Sequence, residues 1–288
     1  MAKRGRLLTA ILLGVTGCES LRGPATPPEP SAVAAAAPTG APRRPAKHWL
    51  RVGQYVIHSD TQLNANDPVF RDLAELPEQI QTELELPAGE SMVQVFLFDS
   101  SDKYDEYMKS KYPRLPKRRA YFFAEHRLGG GGDDLLVFTW PSEHLAKDLR
   151  HELTHATLHS ILKGVPLWLD EGLAGFFELP RATQGVNAGH LDVLRRGPFL
   201  PDLARLEKLG QVQQMETPEY REAWAWVHFL LRGDAAGRKV LLDYMQQLRT
   251  NATPGPLQPK LCEALANPNQ SLAEHLTKTE YPAMSANR

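Results

Sequence analysis

The sequence predicts an α+β fold, with a mixed α/β lobe first and a helical lobe after it. Three observations carry this. Strand-length stretches rich in β-branched and aromatic residues occur at 50–59 (LRVGQYVIHS), 91–100 (SMVQVFLFDS), 119–124 (RAYFFA) and 135–139 (LLVFT). A helical pattern at about 67–86 separates the first two. From 182 onward the apolar residues recur at helical spacing, as in YREAWAWVHFLLRG and RKVLLDYMQQL.

The chain has 288 residues, 42% hydrophobic and 23% charged, with a formal net charge of -1, which fits an ordinary globular protein. Near-neutrality provides no basic field for nucleic acid. The one dense basic run, KYPRLPKRR at 111–119, is broken by two prolines and reads as a solvated loop. No oligomer interface is evident, and there is no internal repeat.

Residues 1–17 read as a signal peptide, with basic Lys3, Arg4 and Arg6, an apolar run from Leu7 to Val15, and small residues ahead of Cys18. That apolar run is shorter than the roughly 20 residues a membrane-spanning helix needs. Val15 to Cys18 resemble the lipobox of bacterial lipoproteins, which implies lipidation of Cys18 and an anchor in a membrane of the cell envelope, outside the cytoplasm. The alternative is a plain secretory peptide with an incidental cysteine. Residues 18–47 are dominated by Pro and Ala, lack apolar periodicity and form a tether; 48–288 form the folded domain, divided into lobes at 48–180 and 181–288. With Cys18 lipidated, Cys262 is the one remaining thiol, and its setting in LCEAL predicts a buried, inert side chain.

The four glycines at 129–132 have no following Lys-Ser/Thr and read as a mobile hairpin loop rather than a phosphate cradle. Beyond the fourth strand, Ser142 as N-cap, Glu143 in the first turn, Lys163 in the last, Gly164 as the residue after the C-cap and Pro166 beyond it predict a helix over about 143–163. On that helix HELTH at 151–155 sets two histidines four residues apart, on one face. Their Cβ atoms are then about 5–6 Å apart, so both imidazoles reach one ion at about 2.0–2.1 Å. Glu152 leans toward the same ion without binding it, placed to take a proton as general base. His159 continues the stripe, but eight residues of helix rise about 12 Å, so it cannot share an ion with His151. It reads as a partner behind the ligands or as packing. A third ligand must come from elsewhere.

The next helix carries LWLDEGLAGFFE at 167–178. Together with HExxH, this run resembles the gluzincin family of zinc metallopeptidases, which includes thermolysin-like and aminopeptidase-like enzymes. The resemblance spans about 30 residues. It implies Zn²⁺ held by His151, His155 and Glu171, with Glu152 as general base. It also implies a small, mostly antiparallel sheet with the site helix in the first lobe, and hydrolysis of a peptide or protein substrate. Two imidazoles and a carboxylate leave a fourth position on zinc open, as catalysis requires. Asp170, about 100° round an ideal helix from Glu171, is expected at the surface or in a cap. Glu178 lies on the face of Glu171, where it either supports a ligand histidine or is solvated. Gly175 stands where thermolysin-like enzymes keep an aspartate, which favours the other branches. The resemblance makes Tyr220, in EYREAWAWVHFLL, the candidate oxyanion donor, with His228 and Tyr244 as alternatives. The Gly-x-Met-Glu-Asn segment of many aminopeptidases is absent, so an exopeptidase role has no support. The strand at 135–139 is expected to offer an edge to an extended peptide. Two other functions compatible with these residues are a silent binding or structural module and hydrolysis of a non-peptide envelope substrate.

Overall fold

Gly53 adopts a left-handed φ of 58°, and this one residue divides the first apolar stretch. The single strand expected over 50–59 is instead a tight hairpin, β1 (His48–Val52) and β2 (Tyr55–Ser59), with Val52 paired to Tyr55 across the turn. The computed structural model describes residues 42–126 and 133–281. The leader, Cys18, most of the tether and the four glycines lie outside them.

Helix α1 (Pro68–Leu84) starts at Asp67, whose side chain accepts from the Val69 amide, and buries Phe70, Leu73, Leu76, Ile80 and Leu84. It carries the chain to β3 (Val93–Leu97), which pairs in parallel with β2. Helix α2 (Ser101–Lys111) was not expected; it is mostly polar and buries only Tyr104, Tyr107 and Met108, too weak a stripe to read from sequence. β4 (Tyr121–His126) and β5 (Asp133–Thr139) form an antiparallel pair, and β5 also lies parallel to β3. The order is β1-β2-β3-β5-β4.

Two expectations fall here. The sheet is mixed rather than mostly antiparallel, because α1 and α2 are crossovers of the kind that allow parallel neighbours. And the strand at 135–139 is internal; the edge on that side is β4. One face of the sheet packs on α1 and on α3 (Leu145–Ile161), the other on α2 through an aromatic cluster that includes Phe96, Tyr107, Phe123 and Phe138.

Helix α3 begins later than expected. Ser142 accepts from the His144 amide in the turn ahead rather than capping the helix. At its other end Leu162 turns extended, so Gly164 is not needed as a left-handed stop. Gly164 instead lies against Ala252, where a Cβ would sit 3.1 Å from a carbonyl oxygen. Helix α4 (Leu167–Phe177) is buried at every position. Helices α5 (Ala188–Arg196), α6 (Leu203–Leu206), α7 (Thr217–Arg232), α8 (Ala235–Leu248), α9 (Gln258–Ala264) and α10 (Pro268–Lys278) follow. One apolar core runs from the sheet through α4 and α7 to α10. Cys262 is exposed, contrary to the expectation of burial, because it lies on the outer face of a short helix that buries only Leu261.

Helices α4 and α7 approach each other closely at Gly172. A Cβ there would lie 2.6 Å from the Ala223 carbonyl oxygen and 2.7 Å from Val227, whereas at Gly175 the nearest atom is 3.8 Å away. Gly172→Ala is therefore expected to destabilise by about 1–3 kcal/mol. Gly175→Ala is expected to be neutral or to stabilise by up to about 1 kcal/mol. Chemical denaturation of the two variants tests this; equal effects would contradict the close approach.

Candidate metal centre

Helices α3 and α4 face each other with ionisable side chains between them, and each such group needs a partner once removed from water. His151 and His155 have ring centroids 5.0 Å apart. Glu171 Oε2 lies 3.4 Å from His151 Nε2 and 3.7 Å from His155 Nε2. Bonds of about 2.0–2.1 Å in tetrahedral array separate ligand atoms by roughly 3.3–3.5 Å, so the three atoms suit one ion. Glu171 Oε2 is also buried with no hydrogen-bond partner among the described residues, leaving an acceptor that a cation would satisfy. His151, His155 and Glu171 are thus a group that can hold a metal ion.

Each imidazole is backed through its other nitrogen. His151 Nδ1 hydrogen-bonds Glu178 Oε2 at 3.0 Å, and Glu178 is paired with Lys147 at 3.0 Å. Glu178 thus stands behind His151, buried rather than solvated. His155 Nδ1 lies 2.9 Å from Asp170 Oδ1, close enough for charge pairing though not aligned as a hydrogen bond. Asp170 Oδ2 bonds His159 Nε2 at 3.0 Å. The surface position expected for Asp170 is therefore wrong. On a helix buried all round, the face away from Glu171 is also interior, and Asp170 is only 4% exposed. His159 rests against the Phe122 ring at 5.5 Å. His151 faces Glu178, and His155 faces Asp170, through Nδ1, so a proton kept on each Nδ1 would leave both Nε2 atoms, which face Glu171, free for an ion.

The electrostatics follow from these partners. Burial works against charge on His151, but Glu171 and Glu178 outweigh it and hold its pKa well above the ordinary histidine value. His155 is raised likewise, burial being overcome by Asp170 and Glu171. Asp170 is driven low despite burial by His155 and His159, and Glu178 is lowered despite burial by His151 and Lys147. Glu152 moves the other way: burial raises its pKa, offset in part by the two histidines.

The metal group opens on a cleft of about 190 Å³ lined by Glu152, Tyr121, Phe122, Arg118 and Met215 among others. Arg118 is the residue that the sequence reading missed. The 111–119 run is largely exposed as expected, but Arg118 turns into this cleft and donates from Nη2 to the Tyr220 hydroxyl at 3.3 Å. No periodicity marks such a residue in a proline-broken loop. Tyr220, at the start of α7, is not among the residues that line the cleft; its link to it is this bond from Arg118. The two alternatives lie elsewhere: His228 bonds His275 at 2.9 Å, and Tyr244 donates to the Gly255 carbonyl at 2.7 Å.

The chain matches no protein-family model and no curated protein. Among solved structures it is similar to a mutant of the M1 zinc metallopeptidase from Deinococcus radiodurans, at 19% identity and a TM-score of 0.42, over 83% of this chain and 54% of that one. The chain thus spans about half the length of that structure. At this distance the chemistry rests on the residues themselves.

Glu171→Ala is expected to abolish stoichiometric binding in a Zn²⁺ titration, while Asp170→Asn and Glu178→Gln weaken it about 10–100-fold. An ion must displace protons from His151 and His155, so its apparent affinity is expected to rise with pH, about tenfold per unit for each proton displaced. In the metal-free protein the sign is opposite. With His151 raised, its charged-form stabilisation is complete below about 6.5 and is lost as pH climbs through the higher folded value. Titrations at pH 6, 7 and 8 together with metal-free thermal melts measure both; a flat affinity would contradict the proton competition.

Proposed function

We propose that the chain is a zinc-dependent hydrolase of peptide bonds, with His151, His155 and Glu171 holding the metal and Glu152 acting as general base. The observation that carries this is the spacing of the three donor atoms, 3.4 and 3.7 Å about Glu171 Oε2, at the base of a cleft that also contains Glu152. Zinc bound there supplies Lewis-acid polarisation of the reacting oxygen atoms.

The protein's own groups do the rest. Burial raises the Glu152 pKa toward neutrality, which suits a carboxylate that takes a proton from water and hands it to the leaving nitrogen. Arg118 donates to the Tyr220 oxygen, so the Tyr220 proton remains available to the oxyanion that develops at the scissile carbonyl. Lys147 through Glu178, and His159 through Asp170, hold the two ligand imidazoles in orientation. The edge of β4 beside the cleft, which pairs with no further strand among the described residues, offers backbone groups to an extended peptide, the part first expected of the strand at 135–139.

The leader supports a second element of the reading, that Cys18 is lipidated and the protein is held on a membrane of the cell envelope. Among the described residues no helix is long and apolar enough to cross a membrane. The Pro- and Ala-rich residues 18–41 then set the folded domain off the bilayer, the end of the expected tether being docked on the domain, where Arg44 donates to the Tyr107 hydroxyl at 2.8 Å and lies over Phe96 and Phe138.

Glu152→Gln is expected to retain zinc, measured by elemental analysis, and to lose at least about 100-fold in hydrolysis of a peptide library. Tyr220→Phe is expected to lose about 10–1,000-fold in kcat with little change in KM. Undiminished turnover in Glu152→Gln sinks the mechanism, and zinc binding without turnover in the wild type leaves a binding module. Cys18→Ser is expected to move the protein from the membrane to the soluble fraction; unchanged membrane association overturns the anchor.

A further inference from the structure

Three cavities meet at one side chain. The metal cleft shares Pro116, Arg118 and Tyr121 with a second cavity of about 370 Å³, lined by Tyr104, Met108, Tyr112 and Leu115. It shares Arg118, His151 and Glu152 with a third, of about 400 Å³, on the side of Lys147 and Arg119. Arg118 lines all three, and the second cavity is aromatic and apolar over most of its wall.

The cations around Arg118 are already matched. Lys117 is paired with Asp105, Arg119 grips Asp148 with bonds of 2.7 and 2.8 Å, and Lys147 is paired with Glu178. Arg118 differs. Among the described residues no carboxylate lies within ion-pair distance of it; its side-chain hydrogen bond goes to the neutral Tyr220 hydroxyl, and its guanidinium lies 5.9 Å from the Tyr121 ring centroid. A guanidinium has five N–H donors in a fixed fork that matches a carboxylate. Here the exposed fork lies beside the hydroxyl of Tyr220 and the ring of Tyr121, and among the described residues its other donors have no protein acceptor.

We propose that Arg118 determines specificity by receiving a carboxylate of the substrate, while the adjoining aromatic cavity takes a large apolar side chain of the neighbouring residue. The substrate class is then an acidic peptide with a bulky apolar residue next to the acid. The two cavities share a wall, and successive residues of an extended chain are about 3.3–3.6 Å apart, so one dipeptide unit spans them. The inference rests on the reading of the cleft as a peptide site. The carboxylate comes either from an Asp or Glu side chain or from the end of the peptide.

The test is calorimetric binding of peptides to the zinc-loaded full chain carrying Glu152→Gln, which prevents turnover. Five peptides are compared: Phe-Glu, Phe-Gln, Phe-Lys and Ala-Glu, each with an amidated end, and Phe-Gln with a free carboxyl end. One of the two Phe-carboxylate peptides is expected to bind at least tenfold more tightly than the Phe-Gln amide, and which one does so identifies the source of the carboxylate. That advantage is expected to vanish when Arg118→Gln is added and to turn toward a Phe-Lys peptide with Arg118→Glu. Ala-Glu is expected to lose most of the Phe-dependent affinity, and Leu115→Trp, which fills the aromatic cavity, to remove the difference between Phe and Ala.

Equal binding of acid and amide peptides, an acid preference that survives Arg118→Gln, or no peptide binding overturns the proposal. Hydrolysis by the wild type is scored separately. Turnover without acid preference discards this inference and keeps the hydrolase, whereas Arg118-dependent binding without turnover keeps the inference and discards the hydrolase.

Discussion

The burial of charge between α3 and α4 is the constraint from which the rest of the site follows. Ionisable groups removed from water stay charged only when paired, and an unpaired one costs several kcal/mol. Here the groups form a chain: Lys147 to Glu178, Glu178 to His151, His151 to Glu171, Glu171 to His155, His155 to Asp170, Asp170 to His159. One end reaches solvent through Lys147, and the other closes against the Phe122 ring. In the middle, Glu171 Oε2 has no hydrogen-bond donor among the described residues and faces the Nε2 atoms of both His151 and His155, which marks it as a point of attachment for a cation.

That chain exists only if the two helices keep their register, and apolar packing supplies it. Gly172, next to Glu171, lets α7 lie close against α4 on the side away from the charges. Buried Arg150, one residue before His151, donates to the Phe177 carbonyl at the end of α4, to Asp72 and to Gln79, at 2.8–2.9 Å, and so binds α3, α4 and α1 together. Its three contacts also satisfy a helix-end carbonyl that would otherwise lack a donor. The residues flanking His151 and Glu171 thus fix the helices against each other.

How much of this is legible beforehand depends on periodicity. His151, Glu152 and His155 can be read because a helix repeats every 3.6 residues, and Glu171 because its run resembles a known one. Asp170 cannot be placed by the same means. A helical wheel gives its angle from Glu171 but not what lies on that side, and only the absence of any further polar face in LWLDEGLAGFF hinted that both acids point inward. The strand order was hidden for a different reason. Alternation identifies β3 and β5, but which strand lies between which is set by crossovers through α1 and α2, and α2 buries too few residues to announce itself. Arg118 sits in a loop with no period at all, so its position in the cleft is a product of tertiary structure alone.

Glu178 and Asp170 present a physical difficulty that their arrangement also resolves. A carboxylate that orients an imidazole toward an ion also raises its affinity for a proton, so the supports that favour the metal favour its competitor. What matters is the charge the protein must bury in each case. Around Asp170, Glu171 and Glu178 the fold sets Lys147, His151 and His155, so protons on the imidazoles or a cation between them would offset the carboxylates. On the proposed reading, a divalent ion carries the same charge as two imidazole protons, so exchanging one for the other would leave the net charge between the helices unchanged. Glu152 stands outside this chain of pairs, and burial raises its pKa, which is the shift that the proposed general base requires.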